Sequence, residues 1–474
     1  MNEIGTQPQH SEAVDRNEGS TRPSLIVAVL AAAGITSSLT QTLVIPLVGD
    51  LPKLFSADAS VTAWAVTVTL LTGAVGMPIL GKLADTYGKR RMLLLALMPL
   101  IAGSLICAAA PSIGVMIAGR ALQGIATGMV PLGISLLHDV LPPKRVGTAI
   151  ALMSSSMGIG GALGLPISAA IIQYVSWRGL FLIDFAIAAL IFGLIYALIP
   201  RPRQEHNYAP FDFLGAIGLA AALLCLLLAI IKGSSWGWTS PSIIGLLIGT
   251  VAAALLWGWW ELRFTNPLVD LRITRRHNVL VTNIASIFVG FAMYAQSLIL
   301  PQLMELPSST GYGLGQTMLQ MGLWMAPSGF AMMAVSSLGA KLTARHGAKT
   351  TLICGSLVMA GGYGFAAVVL HSLVGLMIAS CIGSMGTGLA FGAMPTLIMN
   401  GVPASEKASS NSFNTVMRSI GTSVSSAVIA AILAGTSMNV QGASIPSLSG
   451  FRIGLLSGCA VAIVAGIIAA FNRK

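Results

Sequence analysis

The chain has 474 residues, 55% of them hydrophobic and only 9% charged, with a mean hydropathy of +0.84. Such a composition excludes a soluble globular core and describes a polytopic membrane protein. The net charge of +11 would suit a nucleic-acid partner, but the basic residues recur in short loops rather than in one aromatic-studded patch, so no nucleic acid is expected.

Residues 1–23 are polar, carry Glu3, Glu12, Asp15 and Glu18, and lack an apolar h-region. They are expected to form a disordered cytoplasmic tail, not a signal peptide. A bilayer crossing takes about 20 apolar residues. Hydropathy then predicts fourteen all-α crossings, at 24–48, 60–80, 91–110, 112–138, 146–174, 177–199, 212–231, 241–261, 279–305, 315–340, 348–370, 372–399, 407–435 and 450–471. An even number puts both termini on one side. Of the 26 Lys and Arg residues, only Lys53, Arg178, Lys232 and Arg452 fall opposite the termini, and Arg120 and Arg418 fall inside spans. Both termini are therefore expected in the cytoplasm. The five cysteines lie inside predicted spans without a C-x-x-C pair, so no disulfide framework or metal site is expected.

The chain repeats itself. Met116–Gly128 is echoed by Met377–Gly388, and the stretch beginning at Gly81 by Ala340–Lys349, both at offsets near 260 residues. The expected organisation is a six-span half over 24–200, a linker over 201–277 holding two further spans, and a second six-span half over 278–474. Two similar halves around a midplane site are a common plan of secondary transporters.

A charge at the bilayer centre costs about 2.5–3.5 kcal/mol even on the gentlest scale. Arg120 shares a helical face with Gln123, Thr127 and Pro131; Arg418 shares one with Asn411, Asn414, Gly421 and Ser425. Further polar stripes run through Asn283, Ser286, Gly290, Tyr294 and Ser297, through Gln316, Gln320, Trp324 and Ser328, and through Thr36, Thr40 and Gln41. A lone Ser or Thr usually bonds its own helix, but the stripes together predict a wet midplane pocket. Its expected lining is Gln41, Arg120, Gln123, Asn283, Tyr294, Gln320, Trp324, Asn414 and Arg418. Two arginines in such a pocket would favour anionic, zwitterionic or neutral amphiphiles over lipophilic cations. There is no P-loop, metal-spaced His/Cys cluster or G-x-S-x-G, so no enzyme is expected.

The loop Gly81-Lys-Leu-Ala-Asp-Thr-Tyr-Gly-Lys-Arg-Arg-Met-Leu93 resembles the signature loop between helices 2 and 3 of the major facilitator superfamily, through Gly81, Leu83, Asp85, Gly88, Lys89, Arg90 and Leu93. The resemblance implies a major facilitator fold working by alternating access, with Gly81, Asp85, Gly88, Arg90 and Arg91 at a conformational gate. It implies a latch made by Asp85 and Arg91, one-sided because Ala344 stands where the echo would repeat Asp85. Arg120-x-x-Gln-Gly124 is similar to the superfamily's second motif, which implies proton relay or substrate contact for Arg120. Gly160, Gly164 and Pro166 partly match a helix-packing antiporter motif, with Leu165, Ala169 and Ala170 departing from it.

The two central spans, with Phe211–Gly215, Pro267–Arg272 and Trp177–Ile183, resemble the fourteen-spanner drug/proton antiporter branch. That likeness implies export of small amphiphilic, antibiotic-like compounds from a bacterial-type inner membrane by a monomer among lipids, driven by a proton gradient without a cofactor. One departure stands out. Leu39-Thr-Gln-Thr-Leu-Val44 carries Thr40 where the branch has an acid. Arg120, Asp184 and Glu305 remain as proton-coupling candidates. Asp184 lies about 10 Å into its span, where either a structural hydrogen bond or a proton-carrying role fits. Export of a single endogenous metabolite or lipid without strict proton coupling, and a non-transporting sensor or scaffold, are the rival readings.

Overall fold

With no water in the bilayer to satisfy backbone groups, each apolar run closes its hydrogen bonds internally as a helix. The structure is a computed structural model, and it describes residues 23–48, 50–200, 210–440 and 443–473. The predicted tail and most of the 201–210 linker lie outside the described residues. The first six crossings are α1 (Pro23–Thr42), α2 (Trp64–Tyr87), α3 (Lys89–Ala108), α4 (Ile113–Val140), α5 (Pro143–Tyr174) and α6 (Trp177–Leu198). Then come α7 (Phe213–Trp236), α8 (Pro241–Glu261) and α9 (His277–Glu305).

The next helical run, Met318–Val368, has 51 residues. At 1.5 Å per residue it would be more than twice the ~30 Å apolar thickness of a bilayer. Gly347 breaks it, with φ of +85° that only glycine adopts without strain. The two pieces are α10 (318–346) and α11 (348–368). They are followed by α12 (Leu373–Gly401), α13 (Lys407–Gly435) and α14 (Leu448–Ala470). Fourteen crossings thus appear among the described residues, each close to its predicted place. Serines start several of them: Ser176, Ser240 and Ser372 accept from the backbone N–H three residues on, at α6, α8 and α12. The segment between α13 and α14, outside the predicted crossings, contains a β-hairpin of Ser437–Val440 and Ala443–Pro446. Tyr312 donates to the Pro446 carbonyl and ties the hairpin to the loop after α9.

Two apolar cores form, one among α1–α6 and one among α9–α14. The groups meet along two seams, α2 against α13 and α5 against α10. Small residues make the second seam close. A Cβ at Gly329 would lie 2.6 Å from both the Ala162 side chain and the Gly158 carbonyl, and one at Gly322 would meet Pro166 at 3.0 Å. On its other face α5 packs on α1: a Cβ at Gly160 would lie 2.5 Å from the Ile35 carbonyl, and one at Gly164 would overlap Thr42. Helix α7 packs against α2 and α13, whereas α8 buries only Ile243 and Glu261. Substituting Gly160→Val should force α1 and α5 apart and destabilise the protein by about 1–3 kcal/mol, seen as a lower thermal midpoint in detergent; an unchanged midpoint would contradict this packing.

Candidate functional site

The polar residues of the first six helices converge on Asp184, which is fully buried on α6. Its Oδ1 accepts from Thr40 Oγ1 of α1 at 2.7 Å, and its Oδ2 from Ser104 Oγ of α3 at 2.7 Å and Gln123 Nε2 of α4 at 3.2 Å. Gln123 also donates to Ser104 and accepts from Arg120 through Oε1 at 2.8 Å. Arg120 is only 1% exposed. It donates further to the Ala65 carbonyl of α2 and the Thr40 carbonyl of α1, each at 3.0 Å. Arg120 thus faces its own helix group and not the expected midplane pocket, because three acceptors there replace the water its guanidinium would otherwise need. The network links α1, α2, α3, α4 and α6, and joins a cation to an acid through a glutamine.

The second group behaves differently. Asn414 donates to Asn283 Oδ1 at 2.9 Å and to Ser286 Oγ at 2.8 Å, knotting α13 to α9. One turn further along α13, Arg418 is 8% exposed and sits 4.2 Å above the Phe391 ring of α12. Among the described residues Arg418 has no hydrogen-bond or ion-pair partner. Gln41 reaches only the Ser37 carbonyl of its own helix, and Tyr294 and Trp324 are half-buried on α9 and α10. Gln320 lies away from this cluster: it closes a capping box with Thr317 at the start of α10, where a solvent-facing helix end leaves N–H groups to satisfy. Glu305 is half-buried at the end of α9 and has no contact with the Asp184 network among the described residues.

At the cytoplasmic end of the α2–α13 seam, both Asp85 oxygens accept backbone N–H groups that open α13, Ala408 at 3.1 Å and Ser409 at 2.8 Å. A carboxylate there meets the positive end of the helix dipole. Gly81 permits the approach, since a Cβ would lie 2.6 Å from Ser412 Oγ and 2.9 Å from the Ala408 carbonyl. Gly88, with φ of +101°, turns α2 into α3. Of the two residues expected in the latch, Asp85 spans the seam and Arg91 does not: Arg91 is exposed, and the ion pair across the seam among the described residues is Lys82 with Glu406 at 3.0 Å. Arg91 follows the turn at Gly88, whereas Lys82 lies on the seam face one turn before Asp85. Arg90 turns aside to the Tyr196 carbonyl of α6 at 2.7 Å. Asn411 adds a bond to the Pro131 carbonyl of α4 at 3.1 Å, and Lys407 lies 3.3 Å from the His138 ring. Lys82, Glu406, Ser104 and Phe391 were not legible as site residues. Lys82 carried only the topology signal of a basic loop; Glu406, an acid at the start of a predicted span, was the one usable hint.

The polar core and bracketed seams, on fourteen crossings, define a membrane transporter rather than an enzyme. The family model described as Major Facilitator Superfamily matches residues 30–212 and 213–426, and the chain belongs to that superfamily. It is 26% identical to "Multidrug resistance protein Stp" of Mycobacterium tuberculosis over 87% of this chain and 76% of that one. It is 27% identical to "Uncharacterized MFS-type transporter YvkA" of Bacillus subtilis, over 86% and 90%. The solved human organic anion transporter MFSD10 has the same fold, with a TM-score of 0.66 at 15% identity, covering 94% of this chain and 99% of that one.

Arg120→Ala should cost about 3–5 kcal/mol by leaving Asp184 buried without its countercharge; a thermal-melt loss below about 1 kcal/mol would show the network to be slack. Asp85→Asn should weaken the closed seam by about 1 kcal/mol, roughly fivefold in opening. Maleimide labelling of a Ser412→Cys reporter in a cysteine-free background checks this, and unchanged labelling would remove Asp85 from the gate.

Proposed function

We propose that this chain exports small amphiphilic, drug-like compounds from a bacterial-type inner membrane, with both termini cytoplasmic, by proton antiport and alternating access. The fourteen crossings and the multidrug-resistance relatives support the fourteen-spanner drug-exporter branch. The observation that carries the coupling is the fully buried Asp184 carboxylate shared by α1, α3 and α4. The hydroxyl of Thr40, standing where the branch keeps its acid, donates to Asp184, so the proton-carrying group is displaced from α1 to α6.

As an acceptor of three donors, Asp184 is satisfied in its ionised form. Adding a proton gives one oxygen an O–H that must donate; the Thr40 or Ser104 hydroxyl can accept it and turn its own hydrogen to the Thr36 or Leu100 carbonyl. Protonation thereby replaces charge-assisted bonds from α1, α3 and α4 by weaker neutral ones and leaves Arg120 without its countercharge, which biases the packing of these helices between two access states. Arg418 supports the substrate assignment. A guanidinium above an aromatic ring, with no hydrogen-bond or ion-pair partner among the described residues, suits an acidic or zwitterionic group carried on an apolar body.

Asp184→Asn in proteoliposomes should bind substrate yet lose the acceleration of efflux by an imposed pH gradient. Full gradient dependence in that variant would reject Asp184 as the carrier. Arg418→Gln should reduce efflux of acidic amphiphiles by roughly tenfold, about 1.4 kcal/mol of lost charge-assisted bonding, while sparing uncharged ones. An equal loss for both classes would reject the substrate assignment.

A further inference from the structure

The two extra helices carry a pair of buried acids that the transport reading does not use. Asp212 precedes α7 and Glu261 ends α8, and each is only 2% exposed. A Cβ at Gly215 would run into Asp212 Oδ2 and lie 2.9 Å from Glu261 Oε1, so both carboxyl groups converge on that glycine. Their donors are distributed unevenly. Asp212 Oδ1 accepts from Gly215 N at 2.8 Å and Trp260 Nε1 at 3.0 Å. Glu261 Oε1 accepts from Trp257 Nε1 at 2.8 Å and Val269 N at 3.4 Å. Among the described residues, Asp212 Oδ2 and Glu261 Oε2 are buried with no hydrogen-bond partner.

Each acid thus has one oxygen saturated by N–H groups and one left bare. Two ionised carboxylates side by side and out of water repel one another, and each bare oxygen adds a desolvation cost. A single proton relieves that repulsion and supplies an O–H donor in the space beside Gly215 where Asp212 Oδ2 and Glu261 Oε1 converge.

The pair also lies against the gate. Trp257 stacks on Phe413 of α13 at 6.5 Å, and the apolar patch around α7 joins Met77 of α2 to Phe413 and Val416 of α13. The extra helices therefore bridge the seam that Asp85 closes. The charged groups around the pair are few. Lys82 of α2 faces Glu261 but is already paired with Glu406. On the segment after α8, Arg263 stacks on Trp259, Asp270 caps the turn at Arg272, and Arg272 donates to the Leu262 carbonyl.

We propose that Asp212 and Glu261 form a proton-binding pair, holding one proton between them while the cytoplasmic seam is closed and loosening the extra helices' brace on that seam when the proton leaves. The proton comes from and returns to cytoplasmic water. The pair is separate from Asp184 and independent of the exported compound.

The test follows seam opening in purified protein through maleimide labelling of Ser412→Cys in a cysteine-free background, with exposed His346→Cys correcting for thiol ionisation. Protonation of Asp85 opens the seam toward acid pH, the opposite sense, so intact protein is compared with Glu261→Gln and Asp212→Asn, which keep Asp85, His138, Asp139 and Glu406 and place a neutral amide in the pair. The ratio of corrected labelling, intact over variant, should rise by about fivefold from acid to alkaline pH. The proposal is overturned if that ratio stays flat in a folded, monodisperse variant. It is overturned equally if labelling follows sodium or potassium concentration at fixed pH, which would make the pair a metal-cation site. Efflux is not read, so loss of the antiport assignment would leave this result standing.

Discussion

A carboxylate placed where water cannot reach must be surrounded by donors, and Asp184 is where that requirement is met. Three side chains from three helices turn inward to serve it, and Gln123 extends the bonding to Arg120, whose remaining donors hold the carbonyls of α1 and α2. A change of charge on Asp184 reorders the bonds of the whole group, because each buried member must find its partner inside it. The result is a helix group whose packing is tied to the charge on one residue.

The same constraint shapes the cytoplasmic seam in another form. There the unsatisfied groups are the N–H donors that open α13, and Asp85 of α2 satisfies two of them across the interface. The bond is strong because it joins a charge to a helix end, and reversible because those donors can turn to cytoplasmic water. Lys82 with Glu406, and Asn411 with the Pro131 carbonyl, hold the same seam. Along α5 and α10 the groups meet instead through small residues, a contact that can roll without breaking polar bonds.

Much of the fold was legible, since a crossing is a property of one continuous stretch: about 20 apolar residues ending in charge, proline or glycine. The split at Gly347 was readable for the same reason, from Lys341, Arg345 and Lys349 around a glycine. The hairpin after α13 was not, because its short, mixed strands carry no apolar alternation. At the site, the stripes marked Arg120, Gln123, Asn283, Asn414 and Arg418 as polar residues within the membrane. They could not tell which stripe turns into its own helix group and which toward the opposite one, a rotation set by neighbouring helices.

By itself the sequence determined the number of crossings, their order, the family-defining loop and the presence of two buried arginines. These follow from local composition and from charge that will not enter a bilayer unaided. Only the tertiary structure decided what each charge does. It bound Arg120 into the Asp184 network, set Arg418 over Phe391 with no hydrogen-bond or ion-pair partner among the described residues, and gave the seam's ion pair to Lys82 rather than Arg91. It also brought Asp212 and Glu261 together from opposite ends of the extra helices. Partners more than 40 residues apart in the chain meet only when helices pack, and the packing follows from side-chain shape and the satisfaction of buried polar groups over the whole bundle.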